Sequence, residues 1–194
     1  MKLNKKLLAA LSGAAAVLLL VTGCGDDTGK KRDAWAKGVC DQAAAQLRKI
    51  DDANNTLSGV DSGGQPADVK KADANAFQTI SDAYAQVATI FSKAGAAPGG
   101  DDGAQFQQNA VHVFNGLSTQ YADLKKQVDG LDSSDQAAFA AGLRKVSTSL
   151  DKTTASVQAS LSTVRKGETG AALARQPGCQ QVSGGTVTAT PSAS

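Results

Sequence analysis

Residues 101–131 read DDGAQFQQNAVHVFNGLSTQYADLKKQVDGL. Apolar side chains recur in this stretch at steps of three or four, the spacing that aligns residues along one face of an α-helix. The positions on this stripe are Phe106, Ala110, Val113, Leu117, Tyr121, Leu124, Val128 and Leu131. The stretch therefore predicts an amphipathic helix whose apolar face packs into a core.

Three other segments repeat this spacing, so four amphipathic helices in one domain are expected. The segment that follows carries Phe139, Leu143, Val146, Leu150, Val157, Leu161 and Val164, with Thr153 and Thr154 as a polar interruption. The segment that precedes carries Phe77, Ile80, Tyr84, Val87 and Phe91. The most N-terminal segment has a looser stripe, made of Trp35, Val39, Ala43, Ile50, Ala53 and Leu57.

Helix ends are indicated by breakers and capping residues. Pro66 is placed to open the second helix. Asp101 or Asp102 is expected to cap the third helix, and Ser133 and Gln136 have capping-box spacing for the fourth. Because the loops between the segments are short, successive helices should run antiparallel. The expected fold is all-α, an antiparallel up-down-up-down four-helix bundle with a short C-terminal helical segment.

The start of the chain has the features of an export signal. Residues 1–24 read MKLNKKLLAALSGAAAVLLLVTGC, in which three lysines precede a 15-residue apolar run, Leu7 to Val21. A transmembrane helix needs about 20 apolar residues. Residues 1–23 are therefore predicted to be a signal peptide, with a permanent membrane span as the alternative.

The tetrapeptide at residues 21–24, VTGC, resembles the lipobox of bacterial lipoprotein precursors. The resemblance covers residues 1–24 and implies cleavage between Gly23 and Cys24 and a diacylglyceryl group on the Cys24 sulfur. Two acyl chains, at about 0.8 kcal/mol per buried methylene, hold a protein stably on a membrane. The expected location is the extracytoplasmic face of the cell membrane. The alternative is an ordinary secreted protein with Cys24 free or disulfide-bonded.

The rest of the chain divides into a linker, a domain and a tail. Residues 24–32 are expected to form a membrane-proximal linker, with Asp33 capping the first helix. Residues 33–179 form the predicted bundle domain, and residues 180–194 are rich in Ser, Thr and Gly and are expected to be disordered. Abundant Ala and Gly, with Asp as 17 of the 18 acidic residues, resemble small secreted lipoproteins of actinobacteria.

Cys40 and Cys179 remain once Cys24 is assigned to the lipid. An even pair of cysteines in an exported chain predicts a disulfide. The antiparallel topology agrees, since the end of the fourth helix returns to the tip where the first begins. A short helical piece, Ala171 to Arg175, precedes Cys179 and is ended by Pro177. Free buried cysteines or a metal-binding pair are the alternatives.

Composition argues against several function classes. Without residues 1–23 the chain has 17 basic and 18 acidic residues, a net charge of −1 that gives no support to nucleic-acid binding. One His and one Glu are too few for a di-iron bundle or a zinc cluster. The chain has no P-loop, HExxH or GxSxG motif. We therefore expect no catalytic residues, no metal and no cofactor.

The expected function is a non-enzymatic binding or interaction module whose partner is an extracytoplasmic protein or the cell wall. The alternative is a carrier of a small apolar ligand or haem in the bundle core, suggested by Thr153, Thr154 and the tyrosines Tyr84 and Tyr121. His112 lies off the apolar stripe of its helix and is expected to face water.

One carboxylate is out of place in these patterns. Asp73 falls in line with the apolar face of the second helix. We expect it near the tip of the bundle, where water reaches it, or in a pair with Lys70 or a neighbouring helix.

Overall fold

The computed structural model describes residues 24–180 and places all of the secondary structure in helices. The predicted signal peptide, residues 1–23, and residues 181–194 of the predicted tail lie outside the described residues. The helices are α1 (Cys24–Gly59), α2 (Pro66–Ala94), α3 (Asp101–Asp129), α4 (Gln136–Val164), α5 (Gly167–Ala174) and α6 (Pro177–Gln180). The all-α, four-helix prediction with a short C-terminal helical segment is confirmed.

The seam between α2 and α3 is the most extensive helix contact of the fold. It contains a ladder of aromatic rings whose neighbours have centroids 5.3–6.4 Å apart. Pairs such as Phe91–Phe106 and Phe77–Tyr121 show that the two helices run antiparallel. Trp35 of α1 extends the ladder, so seven of the eight aromatic residues belong to it.

Helix α1 lies against α2 and covers one side of this seam. The Trp35 indole Nε1 donates to the Ala94 carbonyl oxygen at 3.3 Å, which pairs the start of α1 with the end of α2. Val39 and Ile50 on the same face of α1 are buried. The apolar stripe of α1 thus closes the core that α2 and α3 begin.

Helix α4 is the most loosely attached of the long helices. Its one extensive backbone contact within the described residues is with α3. Only four of its 29 residues are buried, Phe139, Val146, Val157 and Leu161. Leu143 and Leu150, which the apolar stripe predicts to be in the core, are half-exposed.

The C-terminal helices pack against α1 rather than continuing the bundle. The predicted disulfide is present and joins Cys40 of α1 to Cys179 of α6, with a Cα–Cα distance of 5.1 Å. Two ion pairs reinforce the contact between α1 and the C-terminal segment, Arg32 with Glu168 and Asp33 with Arg175. The chain end is therefore held at the tip where α1 begins.

The structure corrects the predicted start of the first helix. Helix α1 begins at Cys24, so residues 24–32 are helical and Asp33 is not an N-cap. The Asp33 carboxylate instead accepts a hydrogen bond from Arg175 at 2.5 Å. Because Arg175 lies 142 positions away in sequence, local capping rules could not reveal this partner.

Two further capping predictions are wrong in detail. Asp135, and not Ser133, caps α4 by accepting from the backbone N–H groups of Ala137 and Ala138 at 2.9 and 3.0 Å. Gly100 is the N-cap of α3, and Asp101 and Asp102 lie in its first turn. Their carboxylates interact favourably with the positive end of the helix dipole there instead of capping the helix.

One glycine of α3 is held against the preceding loop. The Ala97 N–H donates to the Gly103 carbonyl oxygen at 3.3 Å, and a Cβ on Gly103 would collide with the Ala97 carbonyl oxygen. Gly116, in the middle of the same helix, has nothing within 4 Å of the position that a Cβ would occupy. The two glycines therefore differ in the space available for a side chain.

Alanine substitution at these two positions should have opposite effects. Gly103→Ala should lower the free energy of unfolding by about 1–3 kcal/mol, because the backbone of the loop must move. Gly116→Ala should raise it by up to about 1 kcal/mol, the difference in helix propensity. Urea unfolding followed by circular dichroism measures both. Equal effects of the two substitutions would contradict the close packing at Gly103.

The disulfide should contribute a large share of the stability. Cys40 and Cys179 are 139 positions apart, and a loop of that length is worth roughly 4–5 kcal/mol in the chain-entropy model. Replacing both cysteines by alanine should lower the free energy of unfolding by about 3–5 kcal/mol in urea titrations. Reduction of the unaltered protein is the control and should give a similar loss. No loss in either case would show that the bridge does not constrain the unfolded chain.

Candidate functional site

A mainly apolar cavity of about 70 Å³ lies where α1, α2 and α3 meet the end of α4 and the C-terminal helices. It is partly open to solvent. Its lining residues are Ala43, Leu47, Tyr84, Val87, Phe91, Phe114, Leu161, Val164, Arg165, Gly170, Leu173, Ala174 and Cys179. We treat this cavity as the candidate functional site, because apolar concave sites with few polar groups are where small ligands usually bind.

The aromatic ladder forms one wall of the cavity. Phe91 and Phe114 have ring centroids 5.3 Å apart and are nearly parallel, at an interplanar angle of 18°. Tyr84 also stacks on Phe114, with ring centroids 6.2 Å apart. All three rings are buried, so this wall is held by the α2–α3 seam and does not depend on α4.

The opposite side is built from smaller or less tightly packed side chains. Ala43 and Leu47 contribute from α1, and Leu161 and Val164 from the last turns of α4. Space remains between them because α4 has its extensive backbone contact with α3 and none of that kind with α1. The cavity is therefore a consequence of how α4 is placed.

The C-terminal segment closes the end of the cavity. Gly170 of α5 packs so closely on the turn after α4 that a Cβ would collide with the Arg165 carbonyl group. This contact brings Leu173 and Ala174 to the cavity, and the disulfide brings Cys179. Gly178 lies equally close to α1, since a Cβ there would be 2.5 Å from the Cys40 carbonyl oxygen.

Arg165 is the one charged residue among the described residues that line the cavity. It is exposed, and it follows directly after α4, where its backbone N–H donates to the Leu161 carbonyl oxygen at 3.1 Å. Among residues 24–180, the lining includes no carboxylate, no histidine and no free thiol, since Cys179 is in the disulfide. Its chemistry suits binding of an apolar group beside a single positive charge.

The tyrosines of the core are neutral hydrogen-bonding or packing groups. Burial raises the pKa of Tyr84 above its ordinary value of 10.0, with smaller contributions from Tyr121 and Asp51. Burial raises the pKa of Tyr121 to about 12. Tyr84 lines the cavity and Tyr121 does not. A tyrosinate ligand for haem iron would therefore be disfavoured here.

Other residues singled out from the sequence lie away from the cavity. His112 is exposed on α3, as expected. Thr153 and Thr154 are half-buried in α4 and are not among the lining residues. They therefore give no support to a ligand site in the cavity.

Leu47 and Phe114 line the cavity although neither was placed on the predicted apolar stripes of α1 and α3. Leu47 is four positions after Ala43, and Phe114 is four positions after Ala110. Both therefore continue the apolar stripes at the helical spacing, and a wider stripe would have included them. The close contact between the C-terminal segment and α1 is made by Gly178. Gly38 of α1 does not take part in it, because nothing lies within 4 Å of the position that a Cβ on Gly38 would occupy.

A second cleft, of about 390 Å³, lies at the opposite tip of the bundle between α2 and α3. Two of its three lysines are engaged, since Lys70 Nζ donates to the Leu131 carbonyl oxygen at 2.7 Å and Lys125 pairs with Asp129 at 2.5 Å. The cleft is wide open, and apart from the buried Ala74 its lining residues are exposed or half-exposed. It is a weaker candidate than the apolar cavity.

Asp73 is a half-buried carboxylate on α2. Burial raises its pKa from 3.8 to about 6, and the ion pairs of the described residues do not include it. It lies in the second turn of α2, so it is near the tip of the bundle, as expected, and partly open to water. The alternative, a pair with Lys70, is not formed, and Lys70 donates to the Leu131 carbonyl oxygen instead. Ionisation of Asp73 therefore destabilises the folded state.

Neither a metal cluster nor a membrane span is found in the part of the chain that the structure describes. Residues 24–180 hold no group of three or more His, Cys, Asp or Glu residues that could bind a metal ion. No helix among them is long and apolar enough to cross a membrane. The chain matches no family model, no curated protein and no solved structure.

The raised pKa of Asp73 predicts a pH dependence of stability. The folded state holds this proton more tightly than the unfolded state, so the free energy of unfolding should fall as pH rises from about 4 to about 6. Asp73→Asn should remove this fall and stabilise the protein at pH 7 by about 1 kcal/mol, a value discounted for partial exposure. Urea unfolding at several pH values measures both effects.

Asp82→Asn is the matched control for this substitution. Asp82 is exposed on the same helix and accepts a hydrogen bond from Gln78 at 2.8 Å. Its substitution should leave the slope between pH 4 and 6 as it is in the unaltered protein. If Asp73→Asn also leaves that slope unchanged, Asp73 is not the group that titrates.

Proposed function

We propose that this chain is a lipoprotein held on the extracytoplasmic face of the cell membrane through Cys24, and that its helical bundle is a non-enzymatic binding module. The observation that carries the proposal is the order of features in residues 1–24, in which lysines, an apolar run and the VTGC box follow one another. A signal of this kind directs export and lipid attachment.

The disulfide supports an extracytoplasmic location. Disulfides persist in oxidising compartments and are rare in the cytosol. The bond between Cys40 and Cys179 joins α1 to the last described helix, so it links two elements of the fold that are distant in sequence. A chain that relies on such a bond is suited to a compartment outside the cytoplasm.

The start of α1 determines how far the bundle stands from the anchor. Residues 24–32 are helical, and nine residues at 1.5 Å each span about 13 Å. Arg32 already contacts the body of the domain, since its Nε donates to the Pro98 carbonyl oxygen at 3.1 Å. An anchor at Cys24 would therefore hold the bundle close to the membrane, with the tip at residues 95–100 nearest to it.

Binding rather than catalysis is supported by the composition of the cavity. Its lining offers apolar contact and one guanidinium, and it has no acid, base or nucleophile that could act together. A binding function needs only the shape and polarity that the cavity has. An extracytoplasmic protein or the cell wall is the proposed partner for the outer surface of the bundle.

The cavity also favours a second candidate function, the carriage of a small apolar molecule. At about 70 Å³ it is smaller than the range of roughly 300–1,000 Å³ that is typical of drug-sized ligands. Haem would not enter unless the helices separated, and the exposed His112 is not placed to bind its iron. A narrow apolar group fits better than a large planar cofactor.

The anchor is tested by Cys24→Ala. The substitution removes the sulfur that would carry the diacylglyceryl group, so the protein should move from the membrane fraction to the soluble extracytoplasmic fraction or keep its signal peptide. Intact-mass measurement of the unaltered protein should show a diacylglyceryl adduct on a chain that begins at Cys24.

The matched control is the double substitution of Cys40 and Cys179 by alanine. It removes the other two cysteines and leaves the lipobox intact, so the protein should remain in the membrane fraction. If Cys24→Ala fractionates with the membrane as the unaltered protein does, and its signal peptide has been removed, the anchoring proposal is wrong.

A further inference from the structure

We propose that the apolar cavity binds the hydrocarbon tail of a free long-chain fatty acid, with the carboxylate of the fatty acid at Arg165. The inference deepens the proposed binding function, on which it rests, by naming the class of ligand. It is carried by three observations: the composition of the lining, the loose attachment of α4, and the positive charge of Arg165 at an exposed position of the lining.

The lining is suited to a hydrocarbon. Apart from Tyr84 and Arg165, all of its side chains are apolar or absent, and Phe91 and Phe114 contribute aromatic surface to it. A polar molecule in this space would lose its hydrogen bonds to water without gaining others. A methylene chain has no hydrogen bonds to lose, and its transfer out of water is favourable in free energy.

The shape favours a single chain. A partly open cavity of about 70 Å³ holds part of a tail, not a whole diacyl lipid. The rest of the tail needs α4 to move away from α1, with which α4 has no extensive backbone contact. Helix α4 buries only four of its side chains, so it can shift to admit the chain at a low cost in packing.

The charge at the cavity distinguishes an acid from a neutral lipid. The other two arginines of this tip are paired, Arg32 with Glu168 and Arg175 with Asp33. Arg165 is exposed, and the ion pairs of the described residues do not include it. A guanidinium in this position is available for a carboxylate, which it binds through two parallel N–H groups.

The location agrees with the proposed anchor. Arg165 follows the C-terminal end of α4, at the same tip as the start of α1. If Cys24 holds this tip close to the bilayer, the cavity lies next to a source of fatty acids.

Trp35 provides a direct test of binding. It is the only tryptophan of the chain, and its ring centroid lies 6.2 Å from that of Phe91, which lines the cavity. Stearate carrying two bromine atoms in mid-chain should quench the Trp35 fluorescence of the purified Cys24→Ala protein, in the form that lacks residues 1–23, in a saturable manner. This variant lacks the proposed acyl chains of its own. Brominated stearyl alcohol is the neutral comparison and should bind more weakly.

Arg165→Gln tests the contact with the carboxylate. It should weaken the binding of brominated stearate by about threefold to fivefold, the effect of one exposed ion pair, and leave the binding of the alcohol unchanged. Arg144→Gln is the matched control, because Arg144 is an exposed arginine of α4 outside the lining. It should change neither affinity.

Ala174→Leu tests the position of the tail. Ala174 lines the cavity but is itself exposed, so a larger side chain there should obstruct the cavity without disturbing the core. Ala171→Leu, on an exposed position of the same short helix outside the lining, should leave binding as it is. The circular dichroism of both variants should match that of the unaltered bundle.

Three results would overturn the inference. They are the absence of saturable quenching by stearate, equal affinity for the acid and the alcohol, and quenching only by vesicles of a brominated diacyl lipid. None of them would affect the membrane fractionation of the unaltered protein. The ligand and the anchor are thus tested separately.

Discussion

The aromatic seam between α2 and α3 is the interaction on which the remaining packing depends. The chain is only 4% aromatic, yet seven of its eight aromatic residues meet in one ladder that is completed by Trp35 of α1. Large rings bury more apolar surface per residue than alanine or valine do. In a chain rich in alanine, concentrating the rings between two helices gives a firm pair against which the others pack.

The loose packing of α4 follows from this concentration of aromatic residues between α2 and α3. Helix α4 has a single aromatic residue, Phe139, near its start, and its later turns contribute Val157 and Leu161 to the core. Its small side chains cannot fill the space that remains beside α1. The cavity lies there, with a rigid aromatic wall on one side and a weakly held helix on the other.

The C-terminal segment compensates for the open side. Helices α5 and α6 pack on α1 and occupy the end of the bundle that α4 leaves uncovered. Gly170 and Gly178 allow the backbones to approach closely, and the disulfide from Cys179 fixes the position. The segment therefore both stabilises the first helix and forms part of the cavity, which links the stability of the chain end to the shape of the site.

The apolar spacing determined the number of long helices and their order, because a helical stripe is a local property that neighbouring residues define. Pro66 at the start of α2 was likewise readable, since a proline acts on its own backbone. The pairing of Cys40 with Cys179 followed from cysteine count and topology.

Tertiary structure alone decided what depends on partners distant in the chain. Asp33 accepts a hydrogen bond from Arg175 instead of capping a helix. Asp73 is partly buried and forms no ion pair with Lys70. The backbone of Gly178 lies close to that of Cys40. The cavity belongs to this group as well, because an unfilled space is created by the relative positions of several helices. No single stretch of sequence encodes those positions, since each results from the summed packing of side chains from all the helices at once.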